Sequence, residues 1–308
     1  TDVEAGIAVD STFEDQMATA RSLLERFDGD DRQKVALTFP TLTPDQVQDD
    51  GVQDAASAVA ALSAESSSLI VQDGHRGDTV VASDRLGLLG PRSVLSHSID
   101  LGAEEIELLA AQSASVAHNP SAIFSQFGSC PVPELLDAGV TVALGSDATG
   151  PDRSSDMFRH MFQATRYHRA VRRDPALLPP GRVIEMATID AANALGMPHL
   201  GSLEPGKAAD VIVVATRKPH LTPLIHPVHQ VVYYATGADV ATVIVGGEVL
   251  MQDRVLARLD MDAVLADARR EHDAALARSG LEGLRSDRPG LWGHSRYPGG
   301  FEPPDLGR

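Results

Sequence analysis

Residues 93–118 read SVLSHSIDLGAEEIELLAAQSASVAH. Residues 93–98 form a short apolar strand pattern, 103–112 (AEEIELLAAQ) a helix and 115–118 (SVAH) a second strand. Strand, helix, strand is the unit that places two strands side by side and parallel. The same alternation extends outward. Upstream, 34–39 (KVALTF) is a short strand, and Pro44 opens a helix through DAASAVAALSAES with Thr43 as its N-cap. Residues 67–71 (SSLIV) follow as a strand, and 79–89 as a helix stopped by Gly90-Pro91. Downstream lie a short helix over 132–138 closed by Gly139, the buried strand TVALG at 141–145, and a long helix over 155–172. Before all of these, 13–27 sets Met17, Ala20, Leu23, Leu24 and Phe27 on one helical face.

Five strand–helix units in series predict a parallel sheet, and near-continuous apolar strands predict that both faces are covered. An open doubly wound sheet and a barrel both meet that condition. Two features favour a (β/α)8 TIM-type barrel. His97, His118 and Asp147 sit at or just after strand C-termini, the edge where such barrels carry chemistry. No Gly-rich phosphate loop follows any strand.

The pattern changes after residue 181. A helix over 182–195, capped by Gly196, precedes three segments expected as short strands: GSLEPGKAADVIVV, HQVVYYA and ATVIVGGEVL. Residues 258–281 are helical and highly charged, and the tail from 285 is rich in Pro, Gly and Arg. The expected organisation is therefore a barrel over 1–200, a small β-sandwich unit over 201–256, and a helical extension and tail over 257–308.

Composition narrows the function. With 43% hydrophobic residues in 308, the chain can bury a sizeable core, and 22% charged residues without low-complexity runs argue against disorder. A net charge of −17 repels phosphate, so nucleic acid is not an expected partner. The single cysteine, Cys130, excludes an internal disulfide and a cysteine-based zinc cluster, and fits a cytoplasmic protein. No apolar run reaches the roughly 18 residues of a spanning helix, so no membrane role is expected. The opening TDVEAGIAVD lacks the features of a signal peptide and reads as the middle of a domain.

Three ordered stretches carry a resemblance. These are GSLEPGKAADVIVV at 201–214, KPHLTPLIHPVHQVVYYATGADV at 218–240 and VIVGGEVLMQDRVL at 243–256. They resemble the junction, the following segment and the closing hairpin of the amidohydrolase superfamily. The branch is that of cytosine and S-adenosylhomocysteine deaminases and s-triazine hydrolases. Residues 93–122 resemble its sixth and seventh barrel strands, and ELLDAGVTVALGSDATG at 134–150 its eighth. The likeness covers about residues 13–256 and implies that the strands seen here are four to eight, with one to three preceding Thr1.

What the resemblance implies for the site follows residue by residue. Asp147 takes the place of the carboxylate that binds the metal and shuttles a proton, and His97 that of the imidazole that polarises the group under attack or assists the metal. His118, in AHNPSA, ends the seventh strand and shapes the pocket or takes part in chemistry; Asn119 and Ser121 offer hydrogen bonds to a ligand. Gln72 and His75 border the substrate pocket from the fifth strand, beside a polar rim of Asp73, Arg76 and Asp78. Zinc or another divalent metal is the implied cofactor. Two departures bear on it. No H-x-H pair occurs in the chain; His226 and His229, the nearest pair, read as structural. The fifth strand, SSLIVQDGHRGD, offers Ile70, Val71 and Gln72 where the family presents a metal-binding histidine. That leaves Asp147 and His97 as candidate ligands, with His75 a third outside the usual geometry.

The expected function is hydrolysis of a non-peptide C–N bond in a small cyclic or heteroaromatic substrate, of deaminase type. A metal-independent enzyme using Asp/His acid–base chemistry and a non-catalytic barrel are the alternatives. The resemblance and the aromatic tail (Trp292, Tyr297) imply a homodimer.

Overall fold

The computed structural model describes residues 12–30, 32–123, 128–147, 154–281 and 283; Trp292 and Tyr297 lie outside them. The chain divides into two units, one through Arg254 and one from Val255 on.

The first unit opens with α1 (Phe13–Arg26), capped by Thr12 in a reciprocal box with Asp15. The parallel sheet follows: β1 (Leu37–Thr38), α2 (Asp50–Ser66), β2 (Ile70–Gln72), α3 (Thr79–Arg85), β3 (Ser93–Ser96), α4 (Ala103–Ala111), β4 (Ser115–His118), α5 (Pro120–Ile123), α6 (Val132–Asp137) and β5 (Thr141–Leu144). The five strands pair in sequence order, all parallel. This is the expected α/β arrangement of successive barrel strands. In the register, Val116 of β4 stands against Leu95 of β3 and Val142 of β5, and all three side chains are fully buried. A second apolar cluster, Leu37, Ala56, Val59, Leu62, Ile70 and Leu88, packs α2 onto β1 and β2.

The long helix α7 (Met157–Arg172) starts at Asp156, whose carboxylate accepts from the Phe158 N–H at 3.0 Å. Next come α8 (Pro180–Ala187) and α9 (Ile189–Ala194). The strand β6 (Val211–Val214), the helix α10 (Pro227–Tyr234) and the strands β7 (Val240–Val245) and β8 (Glu248–Gln252) complete the unit. β6, β7 and β8 are antiparallel, and Gly246-Gly247, both at positive φ, make the two-residue turn between β7 and β8. The second unit begins with β9 (Val255–Leu256) and contains α11 (Met261–Ser279), capped by Asp260.

Three local expectations are corrected. The helix after β1 does not start at Pro44 with Thr43 as cap. Asp49 caps it instead, accepting from the Val52 N–H at 3.0 Å, while the Thr43 N–H donates to the Gln46 side chain at 2.8 Å. A carboxylate on the positive helix end outcompetes a hydroxyl six residues earlier. The helix over 182–195 is two helices broken at Thr188. There, a Cβ on Gly201 would lie 2.8 Å from the Thr188 carbonyl oxygen and 2.6 Å from the Ile189 Cα. Finally, HQVVYYA is helical rather than extended. Pro227 presets its first turn, and the Gln230 side chain accepts from the Ile225 and His226 N–H groups. Tyr233 then meets Arg169 of α7 at 2.5 Å, so tertiary packing overrides the strand preference of Val and Tyr.

Candidate active site

The C-terminal edge of the parallel sheet gathers the polar residues. At the end of β3, the Ser96 peptide gives way to His97, which bonds through its N–H to the Ala117 carbonyl of β4 at 3.0 Å. The backbone then turns through left-handed φ values at His97 (70°), Ser98 (49°) and Asp100 (52°); Asp147 after β5 does the same at 59°. Non-glycine residues held in that region store strain, and they concentrate where side chains must be aimed.

That aim brings His97 and Asp147 together: His97 Nε2 stands 3.7 Å from Asp147 Oδ2 and 3.0 Å from Asp73 Oδ1. The opposite nitrogen, Nδ1, meets the Asn119 Nδ2 at 3.4 Å. His97 is nine-tenths buried, the Asp147 side chain is about four-fifths buried, and Asp73 is exposed. An imidazole flanked by two carboxylates, one sheltered and one open to solvent, can move a proton between ligand and solvent.

The other expected residues lie deeper. His118 is fully buried, its Nε2 3.4 Å from His168 Nε2 on α7. Burial first, then the neighbouring His168, His160 and His97 rings, hold His118 well below the ordinary imidazole range, so it is neutral. Burial and the Arg172 charge likewise bring His168 down to about 4. Asn119 and Ser121 are both buried beside β4. Gln72, at the end of β2, is 1% exposed; its amide nitrogen donates to the Pro40 carbonyl at 3.3 Å, and its Oε1 has no partner among the described residues. His75 is fully buried against Thr79 at 3.0 Å, and burial lowers it to about 4.

Two participants escaped the sequence reading. Asp73 appeared only as a rim residue, yet it makes the shortest carboxylate approach to His97. His168, inside a long amphipathic helix, carried no signal that its ring would meet His118 across 50 residues.

The donors among the described residues do not by themselves complete the metal site that the resemblance implies. Among the described residues, no three His, Cys, Asp or Glu side chains group so as to hold an ion. Ile70, Val71 and Gln72 stand where the resemblance calls for an imidazole, and none supplies one. A catalytic zinc takes about three protein ligands.

A family model described as "Amidohydrolase family" matches residues 47–250, two-thirds of the chain. The chain belongs to the amidohydrolase family. Among its amidohydrolase relatives is a 5-methylthioadenosine/S-adenosylhomocysteine deaminase of Syntrophobacter fumaroxidans. It is 39% identical over 188 residues, covering 60% of this chain and 43% of that protein. A 5'-deoxyadenosine deaminase of Methanosarcina mazei is 34% identical over 235 residues, 76% of this chain and 54% of that protein. The chain thus spans about half the length of the relatives it matches. Of solved structures, an adenosine deaminase from Xanthomonas campestris with bound zinc superposes with a TM-score of 0.80. Its identity is 26%, and the match covers 87% of this chain and 63% of that one. Atrazine chlorohydrolase from Arthrobacter aurescens TC1, complexed with zinc, shares the fold at a TM-score of 0.72 and 21% identity, over 84% of this chain and 60% of that one.

Proposed function

We propose that this amidohydrolase hydrolyses a C–N bond of deaminase type, releasing ammonia from a heteroaromatic amine. Adenosine-derived nucleosides are the first candidates. The observation that carries the reading is the His97–Asp147 pair at the sheet edge, at 3.7 Å. In the proposed reaction, water oxygen bonds to the ring carbon bearing the amine, and Asp147 takes one water proton. His97 Nε2–H donates to the charge that develops on the substrate. Collapse breaks the C–N bond, and the proton held by Asp147 leaves with the amine: R–C(NH2)=N– plus water gives R–C(=O)–NH– plus ammonia. Relatives named for adenosine-derived substrates support this choice.

The test is ammonia release from 5'-methylthioadenosine, S-adenosylhomocysteine and 5'-deoxyadenosine, with cytosine as a non-nucleoside comparison. Release from a nucleoside in the wild type, absent in D147N, supports the proposal; equal rates in both reject it. A metal-independent course is the second reading, favoured by Gln72 at the end of β2. Stoichiometric zinc by elemental analysis, lost together with activity on chelation, rejects that second reading. We further propose a cytosolic homodimer, to be checked by light scattering. No helix among the described residues is long and apolar enough to cross a membrane.

A further inference from the structure

His97 is held from both ends. At Nε2 it faces two carboxylate oxygens, of Asp73 at 3.0 Å and Asp147 at 3.7 Å, and ionised carboxylates only accept hydrogen bonds. A hydrogen on Nε2 is therefore the arrangement that satisfies that side. A neutral imidazole with its hydrogen on Nε2 has a lone pair on Nδ1. The group that meets Nδ1 is the Asn119 amide nitrogen at 3.4 Å, a donor. The two ends agree, and only one tautomer satisfies both.

Asn119 is itself fixed. It is 5% exposed and follows His118 at the end of β4. The residue opposite is Gly145, whose N–H donates to the His118 carbonyl at 2.8 Å. A Cβ on Gly145 would stand 2.2 Å from Asn119 Oδ1, so the amide oxygen occupies the space that the glycine leaves open. With the oxygen packed on the β5 side, the amide nitrogen is the atom turned to His97.

We propose that Asn119 is a positioning residue, seated by Gly145, that keeps the neutral His97 ring with its hydrogen on Nε2. The ring then presents a donor, not a lone pair, to the space beside Asp147. This rests on the reading of His97 and Asp147 as the acid–base pair and deepens it by dividing the roles: His97 donates, Asp147 accepts. Asn119 moves from a ligand-binding candidate to the residue that sets the polarity of the pair. Gly145, at the end of the TVALG strand, becomes necessary because any side chain there displaces the amide.

The experiment is a long-range proton–nitrogen correlation spectrum of the full chain labelled at histidine nitrogen, at about pH 9, where imidazoles are neutral, with His97 assigned by its loss in H97Q. The expected wild-type spectrum shows Nε2 protonated and Nδ1 bare. In N119D, where a carboxylate also faces Nδ1, that nitrogen becomes protonated while Nε2 keeps its hydrogen; in G145A the wild-type pattern is lost as well. A proton on Nδ1 in the wild type, in the neutral or the doubly protonated ring, overturns the proposal. Beyond the H97Q assignment, the wild-type spectrum needs no variant and no substrate, so it is independent of whether the deaminase reading holds. In turnover, N119A should lose about 10- to 100-fold in kcat with KM within about twofold. An unchanged kcat overturns the positioning role.

Discussion

The His220–Asp239 and His97–Asp147 pairs differ in how the carboxylate is held. Asp239, 2% exposed, receives the Lys218 ammonium at 2.7 Å, His220 at 3.1 Å, and the Thr236 N–H and hydroxyl at 2.8 and 3.1 Å. Burial pushes its carboxyl up, but the bonds from Lys218, His220 and Thr236 outweigh it and hold the group well below the usual carboxylate range. A carboxylate so filled closes the segment between β6 and β7 and has no lone pair to spare for a ligand. Asp147 stands on a strained turn at the sheet edge, with its histidine also approached by an exposed Asp73. The filled carboxylate of Asp239 thus belongs to structure, and the His97–Asp147 pair is the one proposed as the site.

The largest expected effect is on turnover. H97A and D147N should each lose about a thousandfold in kcat, whereas H220A should stay within about twofold. Comparable losses at both pairs would erase the distinction.

Acid should act on the buried imidazoles next. His75 and His168 ionise near 4 in the folded chain and near 6.5 unfolded, so between those values the unfolded chain binds more protons. Stability should fall by about 2 kcal/mol per ring between pH 7 and pH 5. Denaturant midpoints at the two pH values measure it, and H75Q should fall less than the wild type. Identical pH slopes would contradict the neutral, buried assignment.

D239N should cost about 2 kcal/mol of stability at pH 7, since charged hydrogen bonds are weakened, with kcat nearly unchanged. The sign with pH follows from the lowered carboxyl. Its contribution is present above the unfolded value of about 3.9 and is lost as pH falls through the lower folded value. The variant should therefore lose less than the wild type on going below pH 4. The smallest effect is expected at Asp73: because its side chain is exposed, D73N should lower kcat by about tenfold or less. A loss matching that of D147N would make Asp73 the base.

Much of the parallel sheet was legible because its strands are short apolar runs separated by helices with clear stops, as in 93–118. The placement of His97 and Asp147 at the sheet edge was legible because they end such runs. What failed did so where side chains decide between local structures. Asp49 outbid Thr43 for a helix start, and Arg169 drew Tyr233 into a helix that its β-forming neighbours do not favour. Asp73 was placed by the left-handed turn after β3, which brings His97 toward it and leaves no periodic trace. The His118–His168 contact joins residues 50 apart, and neither segment alone encodes it.

The most direct test is the kcat for ammonia release from 5'-deoxyadenosine by wild type, H97A, D147N and the double variant, each confirmed folded by its near-UV spectrum. Groups that act as one unit lose little more together than singly. Each single variant should fall by about a thousandfold, and the double variant no more than about tenfold further. Wild-type rates in either single variant, or losses that multiply in the double, would contradict this.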